Sequence, residues 1–380
     1  MVAEQKIIIS ESDQKAFDER FMAVSLRYAY RHRGLTGTNP AVGTVLVDFS
    51  KAIPEIVGVG ATAIGGRPHA EAVALKEAGD RARGATAYVS LEPCAHHGGT
   101  PPCAEALIKA GVVRVVTAYV DPDQRVDGKG HQMLRDAQIT VESGLLNNQA
   151  AWDMRGYLSR VKYGRPHVML KIAMTRDGFM GAHGKGQIKI TGVEAKRQTH
   201  LMRMQSDAIL VGAHTVVEDN PQLSVRLAGL EQFSPKIFVL SNSSLPNDLK
   251  LQQGQVTLIG SDRKAHKEWI AKGAGFLGIE QQEGLLCLAD MLEDMAALGI
   301  ASLMVEGGAT TAQHFLEAGL VDELVLYEAS KKLAELVDVN KVDAIAAPVN
   351  ASHLDEKWHL VEEQSLGQDL MKRYKYKKDA

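Results

Sequence analysis

Three side chains that bind zinc lie within one short stretch of the chain. His69 begins the triplet His69-Ala70-Glu71, Cys94 follows Pro93, and Cys103 follows Pro101-Pro102. One imidazole and two thiolates supply three corners of a tetrahedron and leave the fourth for water, as catalytic zinc requires; structural zinc normally has four protein ligands. Zinc lowers the pKa of such a water, so hydroxide is available near neutral pH. Glu71, two residues beyond the histidine, is placed to take a proton from that water, pass it to a ring nitrogen and protonate departing ammonia. The chemistry implied is hydrolytic deamination of an amino-substituted, pyrimidine-type ring. Zinc deaminases carry H-x-E followed by P-C-x-x-C. Here eight residues, AHHGGTPP, separate the cysteines, unlike the spacing of tRNA and single-strand deaminases. His96 is expected to touch substrate, His97 to be a solvated loop residue, and Cys287 to be a small buried hydrophobe.

These residues need elements to hold them. Ala41–Asp48 and Ile56–Thr62 are short, Val-rich and bounded by glycine, which predicts strands. His69–Ala78 predicts a helix stopped by Gly79, Ala85–Leu91 a strand, and Cys103–Ala110 a helix closed by Gly111. Val112–Val120 predicts a strand, Gly130–Gln138 a helix, Ile139–Glu142 a short strand, and Asn147–Val161 one helix leaving the domain. Both cysteines are expected at helix N-termini, where the dipole favours thiolates. Lys162-Tyr163-Gly164-Arg165-Pro166 is a breaker cluster and the expected linker. Beyond it the alternation restarts. His167–Ala173, Ala208–Gly212, Lys236–Ser241, Val256–Gly260, Ser302–Glu306 and Glu323–Tyr327 predict strands. Glu194–Gln205 and Thr310–Ala318 predict helices, and Leu288, Met291, Leu292, Met295 and Leu298 are the core face of another. Two α/β domains follow, 1–163 and 164–380.

Composition agrees with this. A chain of 380 residues exceeds one ordinary domain. It is 45% hydrophobic and 23% charged with net charge −3, which argues against a nucleic-acid binder relying on bulk electrostatics. The basic run Met371–Lys378 is expected to be a solvated end. Three cysteines make no disulfide framework and favour a reducing, cytoplasmic setting. The apolar run Ile7–Ile9 is too short for a signal peptide, and no apolar run is long enough to cross a bilayer.

A second motif, Glu306–Thr311 (EGGATT), lies between a strand and a helix. Two glycines allow close approach of a ligand, and free N–H groups at a helix start favour phosphate. It is not a GxGxxG fingerprint, and alone it could be an ordinary turn.

Read in order, the motifs resemble the bifunctional riboflavin-biosynthesis deaminase/reductase family over nearly the whole chain. The matching text is Asn39-Pro40-Ala41-Val42-Gly43, His69-Ala70-Glu71, Glu92-Pro93-Cys94, Gly98, Thr100-Pro101-Pro102-Cys103 and Asp121-Pro122. It continues through Gly164-Arg165-Pro166, Leu170-Lys171, Asp177-Gly178, Ile190-Thr191-Gly192, Ser206–Gly212, Asp219-Asn220-Pro221, Val305–Gly308 and Ala318–Glu323. The stretched cysteine spacing is typical of that family. The resemblance implies a cytidine-deaminase-like α/β/α domain followed by a dihydrofolate-reductase-like α/β domain. It implies deamination of 2,5-diamino-6-(5-phosphoribosylamino)pyrimidin-4-one, then NADPH-dependent reduction of the ribosyl chain to ribityl. Asn39, His96 and Asp121 would hold the deaminase substrate. Ala173, Lys189, Thr215, Asp219, Ser241, Gly308, Ala309, Thr310, Thr311, Ala312, Gln313 and His314 would border the cofactor. Gln187, Arg203, Leu223, Arg226 and Glu306 would border the reductase substrate, with the two arginines suited to clamp its phosphate. A small phosphorylated pyrimidine is the expected partner, with no nucleic acid, no membrane and a homo-oligomeric assembly.

Four places depart from the family pattern. Gly99 stands where Arg or Lys is usual, Asp123 where Asn is usual, and Lys189 where many members carry Trp. From Ser330 the usual Pro-x-Leu-Leu-Gly text is replaced. Three rival readings stay open: an active deaminase whose second domain only binds or dimerises, a nucleic-acid base deaminase, which would want a basic surface, and a non-catalytic protein that binds zinc and nucleotide.

Overall fold

The structure, a computed structural model, describes residues 10–99, 101–282, 284–338, 342–349 and 354–377. Ile7–Ile9, Thr100, Lys378 and part of the divergent segment after Ser330 (339–341) lie outside the described residues. The chain divides into two compact units, Met1–Tyr163 and Gly164–Ala380. No helix among the described residues is long and apolar enough to cross a membrane.

The first unit runs α1 (Glu11–Arg31), β1 (Gly43–Asp48), β2 (Glu55–Ala61), α2 (Ala70–Ala78), β3 (Thr86–Val89), α3 (Cys103–Ala110), β4 (Arg114–Thr117), α4 (Lys129–Asp136), β5 (Thr140–Ser143), α5 (Asn147–Asp153) and α6 (Arg155–Tyr163). Its five-stranded sheet has the order β2-β1-β3-β4-β5. The β1 pairs are antiparallel, while β3-β4-β5 are parallel. Every residue of β3 is buried, as expected for a strand covered on both faces. Helix α2 lies so close to β2 that a Cβ on Gly60 would stand 2.2 Å from the Ala70 carbonyl oxygen. That approach fixes the helix carrying Glu71 against the sheet.

Two expectations change here. The sequence reading includes no helix before Ala41, yet α1 is the longest in the chain, capped by the Ser10 hydroxyl, which accepts from the Asp13 N–H. Its buried stripe (Asp18, Met22, Ser25, Leu26, Ala29) contains a carboxylate, which breaks the apolar pattern. The single helix expected over Asn147–Val161 is two, interrupted at Met154. Asp18 joins α1 to the sheet, accepting from Arg114 Nη1 and Nη2 at 2.8 and 2.7 Å and from the Tyr88 hydroxyl.

The second unit contains β6 (His167–Met174), β7 (Phe179–Ala182), α7 (Val193–Met204), β8 (Ala208–Gly212), α8 (Ala213–Asp219), β9 (Lys236–Leu240), β10 (Val256–Gly260), α9 (Lys267–Ala271), β11 (Gly275–Gly278) and the ribbon β12 (Gln281–Gln282)–β13 (Leu285–Leu286). It continues with α10 (Leu288–Ala297), β14 (Ser302–Glu306), α11 (Ala309–Glu317), β15 (Glu323–Glu328), β16 (Ala344–Ala346), α12 (Leu354–Lys357), β17 (Trp358–Leu366) and β18 (Asp369–Tyr376). Nine strands form one sheet in the order β11-β10-β9-β8-β14-β6-β15-β18-β17. The run from β11 to β15 is parallel, and the last two strands are antiparallel.

The basic run at the C-terminus is not a solvated end. Residues 369–376 form β18, an interior strand beside β15, with Met371, Arg373 and Tyr374 buried. The charge is tolerated because it is paired: Arg373 bonds fully buried Glu323 and, at 2.8 Å, Glu362, while Lys372 pairs with Glu328 at 3.2 Å. Cys287 is only half-buried, at the start of α10. The divergent segment after Ser330 places β16 antiparallel to β7.

Burial raises the Asp18 pKa, but the hydrogen bonds from Arg114, Tyr88 and Gln14 outweigh it and leave the carboxyl below its ordinary value. Its stabilisation is therefore full above the unfolded carboxyl pKa of about 3.9 and is lost as pH falls through the folded value. Asp18→Asn should cost about 2–3 kcal/mol at pH 7 and much less at pH 3, because it leaves Arg114 without its buried partner. Calorimetry at the two pH values checks this: an equal loss at both would show that the charge is not what Asp18 contributes.

Candidate active site

Three segments deliver the metal-binding atoms. His69 is the N-cap of α2, Cys103 is the first residue of α3, and Cys94 lies in the loop after β3. Cys94 does not open a helix, as the sequence reading expects, but its Sγ accepts the Cys103 N–H at 3.3 Å. It therefore meets the N-terminus of α3 from outside. His69 Nδ1 lies 3.4 Å from Cys103 Sγ and 3.8 Å from Cys94 Sγ. Tetrahedral zinc, with bonds of about 2.0 Å to nitrogen and about 2.3 Å to sulfur, spaces such atoms about 3.6 Å apart. Among the described residues this is the one group whose donor atoms converge for a metal, and the donor set fits zinc.

The surroundings favour thiolate at Cys94, whereas the hydrogen bond to Cys94 and then burial push the Cys103 thiol up. The Cys94 thiol is pulled down to about 4, first by the hydrogen bond from Cys103 and then by His69 and the Cys103 N–H, against the cost of burial. Glu71 is buried on the first turn of α2. Burial first, and then the Cys94 charge, push its pKa up to about 7. A carboxyl in that range can accept and return protons at neutral pH.

Each residue expected to hold the deaminase substrate is joined to a ligand-bearing segment. Asn39 Nδ2 donates to the Gly66 carbonyl at 3.2 Å, three residues before His69. His96 follows Cys94 by two residues, and its Nδ1 is enclosed without a hydrogen-bond partner. Buried Asp121 accepts from the Tyr157 hydroxyl at 2.8 Å and the Asp123 N–H at 3.0 Å; burial raises its pKa. The loops are held by Glu92, whose buried carboxylate accepts from the N–H groups of Asp121, Gly128 and His131 at 3.3, 3.0 and 3.0 Å. Asp123 turns outward to Arg125, which holds its carboxyl down at about 2. Exposed His97 pairs with Glu105 at 3.4 Å.

The second unit has a cleft of about 300 Å³ at the carboxyl ends of β6, β8 and β14. Open α/β sheets bind ligands there, where the strand order reverses direction. It brings together Ala173, Gln187, Lys189, Arg203, Thr215, Asp219, Leu223, Arg226, Glu306, Gly308 and Ala309. Ser241, Thr310, Thr311, Ala312, Gln313 and His314 are not among its lining residues. Ser241 is buried and donates to the Ser243 carbonyl, Ala312 is in the core, and the Gln313 amide bonds Glu317. Thr311 fills the space against two glycines: a Cβ on Gly212 would stand 2.4 Å from its Oγ1, and one on Gly307 2.9 Å from its Cβ. The Gly308 N–H donates to Thr215 Oγ1 at 2.8 Å, which joins the start of α11 to α8.

Glu306 accepts two bonds from Arg203, Nε to Oε1 at 2.6 Å and Nη2 to Oε2 at 2.9 Å, and Arg203 Nη1 donates to the Ser224 carbonyl. Each guanidinium nitrogen of Arg203 thus makes one bond within the protein, and Arg203 and Arg226 both line the cleft. Burial pushes the Glu306 carboxyl up, but Arg203 and Lys171 outweigh it and hold it below its ordinary value. Lys171 is the residue that sequence reasoning missed. It is paired in register with Glu306 across β6 and β14, and burial lowers its pKa. A lone lysine two residues from Ala173, in an otherwise apolar strand, was the available signal. His200 also went unread; burial and two arginines press its pKa down to about 4, so it is neutral. The ribbon of β7 and β16 lines the cleft with Met180, His183 and Ile345.

Fold and site define a two-unit α/β enzyme with a hydrolytic zinc centre first and a ligand cleft second. Residues 15–119 match the cytidine and deoxycytidylate deaminase zinc-binding region, and residues 166–365 match the RibD C-terminal domain. The riboflavin biosynthesis protein RibD of Escherichia coli is 39% identical over 330 residues, covering 83% of this chain and 88% of that one. The structure of Acinetobacter baumannii RibD superposes with a TM-score of 0.83 at 34% identity, over 96% of this chain and 100% of that one. A Thermotoga maritima diaminohydroxyphosphoribosylaminopyrimidine deaminase/5-amino-6-(5-phosphoribosylamino)uracil reductase gives 0.82 at 26% identity, over 96% and 99%. The chain belongs to the RibD family, the bifunctional deaminase/reductases of riboflavin biosynthesis.

Cys103→Ser should lower bound zinc from about one equivalent to a small fraction, since a neutral hydroxyl replaces a thiolate ligand; full zinc occupancy by metal analysis would remove Cys103 from the ligand set. Thr215→Val should free the Gly308 N–H from its fixed position and raise KM for the nicotinamide cofactor about fivefold, the worth of one hydrogen bond. Cofactor-dependence curves check this, and an unchanged KM would separate Thr215 from cofactor binding.

Proposed function

We propose that the first unit deaminates 2,5-diamino-6-(5-phosphoribosylamino)pyrimidin-4-one and that the second reduces the ribosyl chain of the product to ribityl with NADPH. The observation that carries the first half is the spacing of His69, Cys94 and Cys103, with the buried Glu71 carboxyl beside them. Zinc held there supplies a water that ionises near neutral pH. Glu71 would take a proton from that water and give it to a ring nitrogen as the water oxygen bonds to the ring carbon, then carry the second proton from the new hydroxyl to the amine, so that the carbon–nitrogen bond breaks, ammonia leaves and the ring carbonyl forms. Asn39, His96 and Asp121 orient the ring, and the enclosed His96 Nδ1 awaits a partner from the substrate.

In the second unit the cofactor supplies the hydride, and the protein orients the two reactants and excludes water. All seven of Thr215, Asp219, Gly308, Ala309, Leu223, Arg226 and Glu306 line the one cleft; in this reading the first four border the cofactor and the last three the substrate. Arg203 keeps Glu306 ionised and fixed. The lysine at 189 lines the cleft without an aromatic ring, and so offers a charge where stacking would otherwise act. Three unpaired thiols suit a reducing cytoplasm.

Separate assays test the two halves. Ammonia should appear without NADPH, and NADPH should be oxidised only once the deaminated product is supplied. Ammonia release with no NADPH oxidation would reduce the second unit to a binding module. Glu71→Gln should retain zinc and lower ammonia release by at least about a hundredfold, the scale of a lost general acid–base group; near-normal turnover would reassign the proton carrier.

A further inference from the structure

Between α8 and β9 the chain forms neither helix nor strand over residues 220–226, yet this stretch brings Leu223 and Arg226 to the cleft. Leu223 is buried there with φ at 56°, in the left-handed region that a bulky side chain disfavours. Such a conformation persists only where its surroundings over-determine it. Hydrogen bonds to other segments supply that restraint. At one end the Lys250 N–H donates to Asn220 Oδ1 at 2.7 Å, and further along the Val225 N–H donates to Ser234 Oγ at 2.9 Å. Two more ties come from α7. Arg203 Nη1 donates to the Ser224 carbonyl at 3.0 Å, and His200 Nδ1 accepts the Arg226 N–H at 3.4 Å. Residues three apart on a helix share one face, so one face of α7 holds the backbone on both sides of Val225.

We propose that His200 is a positioning residue of the reductase: it fixes the backbone of Arg226 and thereby places that guanidinium against the substrate. This rests on the reading above, in which Arg226 borders the substrate. Arg226 is exposed on a loop, and a long side chain is placed only as well as the backbone it starts from. A small misplacement at that root costs productive binding. The tie to the Arg226 N–H needs an acceptor. Arginine only donates, so Arg203 can hold a carbonyl but not an N–H, and its other two nitrogens hold Glu306. An imidazole accepts at Nδ1 when its one proton sits on Nε2, whereas a protonated ring would set one N–H against another. Burial first, and then Arg203 and Arg226, press the His200 pKa down to about 4, so the lone pair is present at neutral pH. The ring thus works as a fixed, neutral acceptor among cations.

The test follows NADPH oxidation on the deaminated product in full-length enzyme, with ammonia release from the first unit confirming that each variant is folded. His200→Leu keeps bulk but removes the acceptor. It should raise KM for the deaminated product about three- to tenfold, the scale of one hydrogen bond, with kcat within about twofold and KM for NADPH unchanged. His200→Asn sets an amide oxygen near the place of Nδ1 and should bring KM back to within about twofold of wild type. Added to Arg226→Gln, His200→Leu should cost almost nothing more, because its effect passes through Arg226. An unchanged KM in His200→Leu, an Asn variant no better than the Leu variant, an equal rise in KM for NADPH, or a full further loss in the Arg226→Gln background would each overturn the proposal while leaving the role of Arg226 intact. Arg226→Gln with an unchanged KM for the deaminated product would overturn the reading that Arg226 borders the substrate, and this proposal with it.

Discussion

A buried carboxylate organises each site, and the deaminase centre depends on the one at Glu92. Its two oxygens accept from three backbone N–H groups on one stretch of chain, at Asp121, Gly128 and His131. An unpaired carboxylate at this depth would be prohibitive, so the stretch is held to the end of β3 as firmly as the charge must be satisfied. Cys94 is two residues further on and inherits that position. Asp121 sits on the other side of the same bonds. The metal-binding loop and the substrate loop are thereby located by one group, and a Cβ on Gly130, 2.0 Å from the Pro93 carbonyl oxygen, would leave them no room to close.

The second unit uses the same device with different partners. Glu306 ends the central parallel strand β14, and a guanidinium satisfies it rather than backbone. A carboxylate held by Arg203 stays ionised and remains at the cleft surface, with Lys171 paired across the sheet. Backbone donors suit a structural carboxylate, because they cannot move. A side-chain donor suits one that faces a ligand, because the pair can adjust as the ligand arrives. Thr311 and Thr215 complete the arrangement by filling the space that Gly212, Gly307 and Gly308 leave, so the Gly-Gly turn is a packed joint between β14, α8 and α11.

Much of this was legible from residues alone because local pattern and burial agreed. The strands β1, β3, β6, β8 and β14 are mostly apolar and bounded by glycine or turn residues, and the helices starting at Ala70, Cys103 and Ala309 are announced by motif and stop signal. Two elements that the residues alone do not reveal, α1 and β18, share one cause, a buried charge whose partner is distant in sequence. Asp18 interrupts the stripe of α1 until Arg114 is brought to it. Arg373 makes β18 look like a solvated tail until Glu323 and Glu362 stand beside it. Lys171 passed as part of a core strand for the same reason.

By itself the sequence determined the chemistry. His69, Glu71, Cys94 and Cys103 specify a hydrolytic zinc centre through residue type alone, because ligand softness and an open fourth position do not depend on the surrounding fold. It also specified the alternation of strand and helix, because hydrophobic period is a local property. Only the tertiary structure decided how the charges are used. Arg203, which reads as a phosphate clamp, is bound to Glu306. The physical reason is that Coulomb and hydrogen-bond energies act over a few ångströms of space and not along the chain, so a charged residue has no definite role until folding chooses its neighbours.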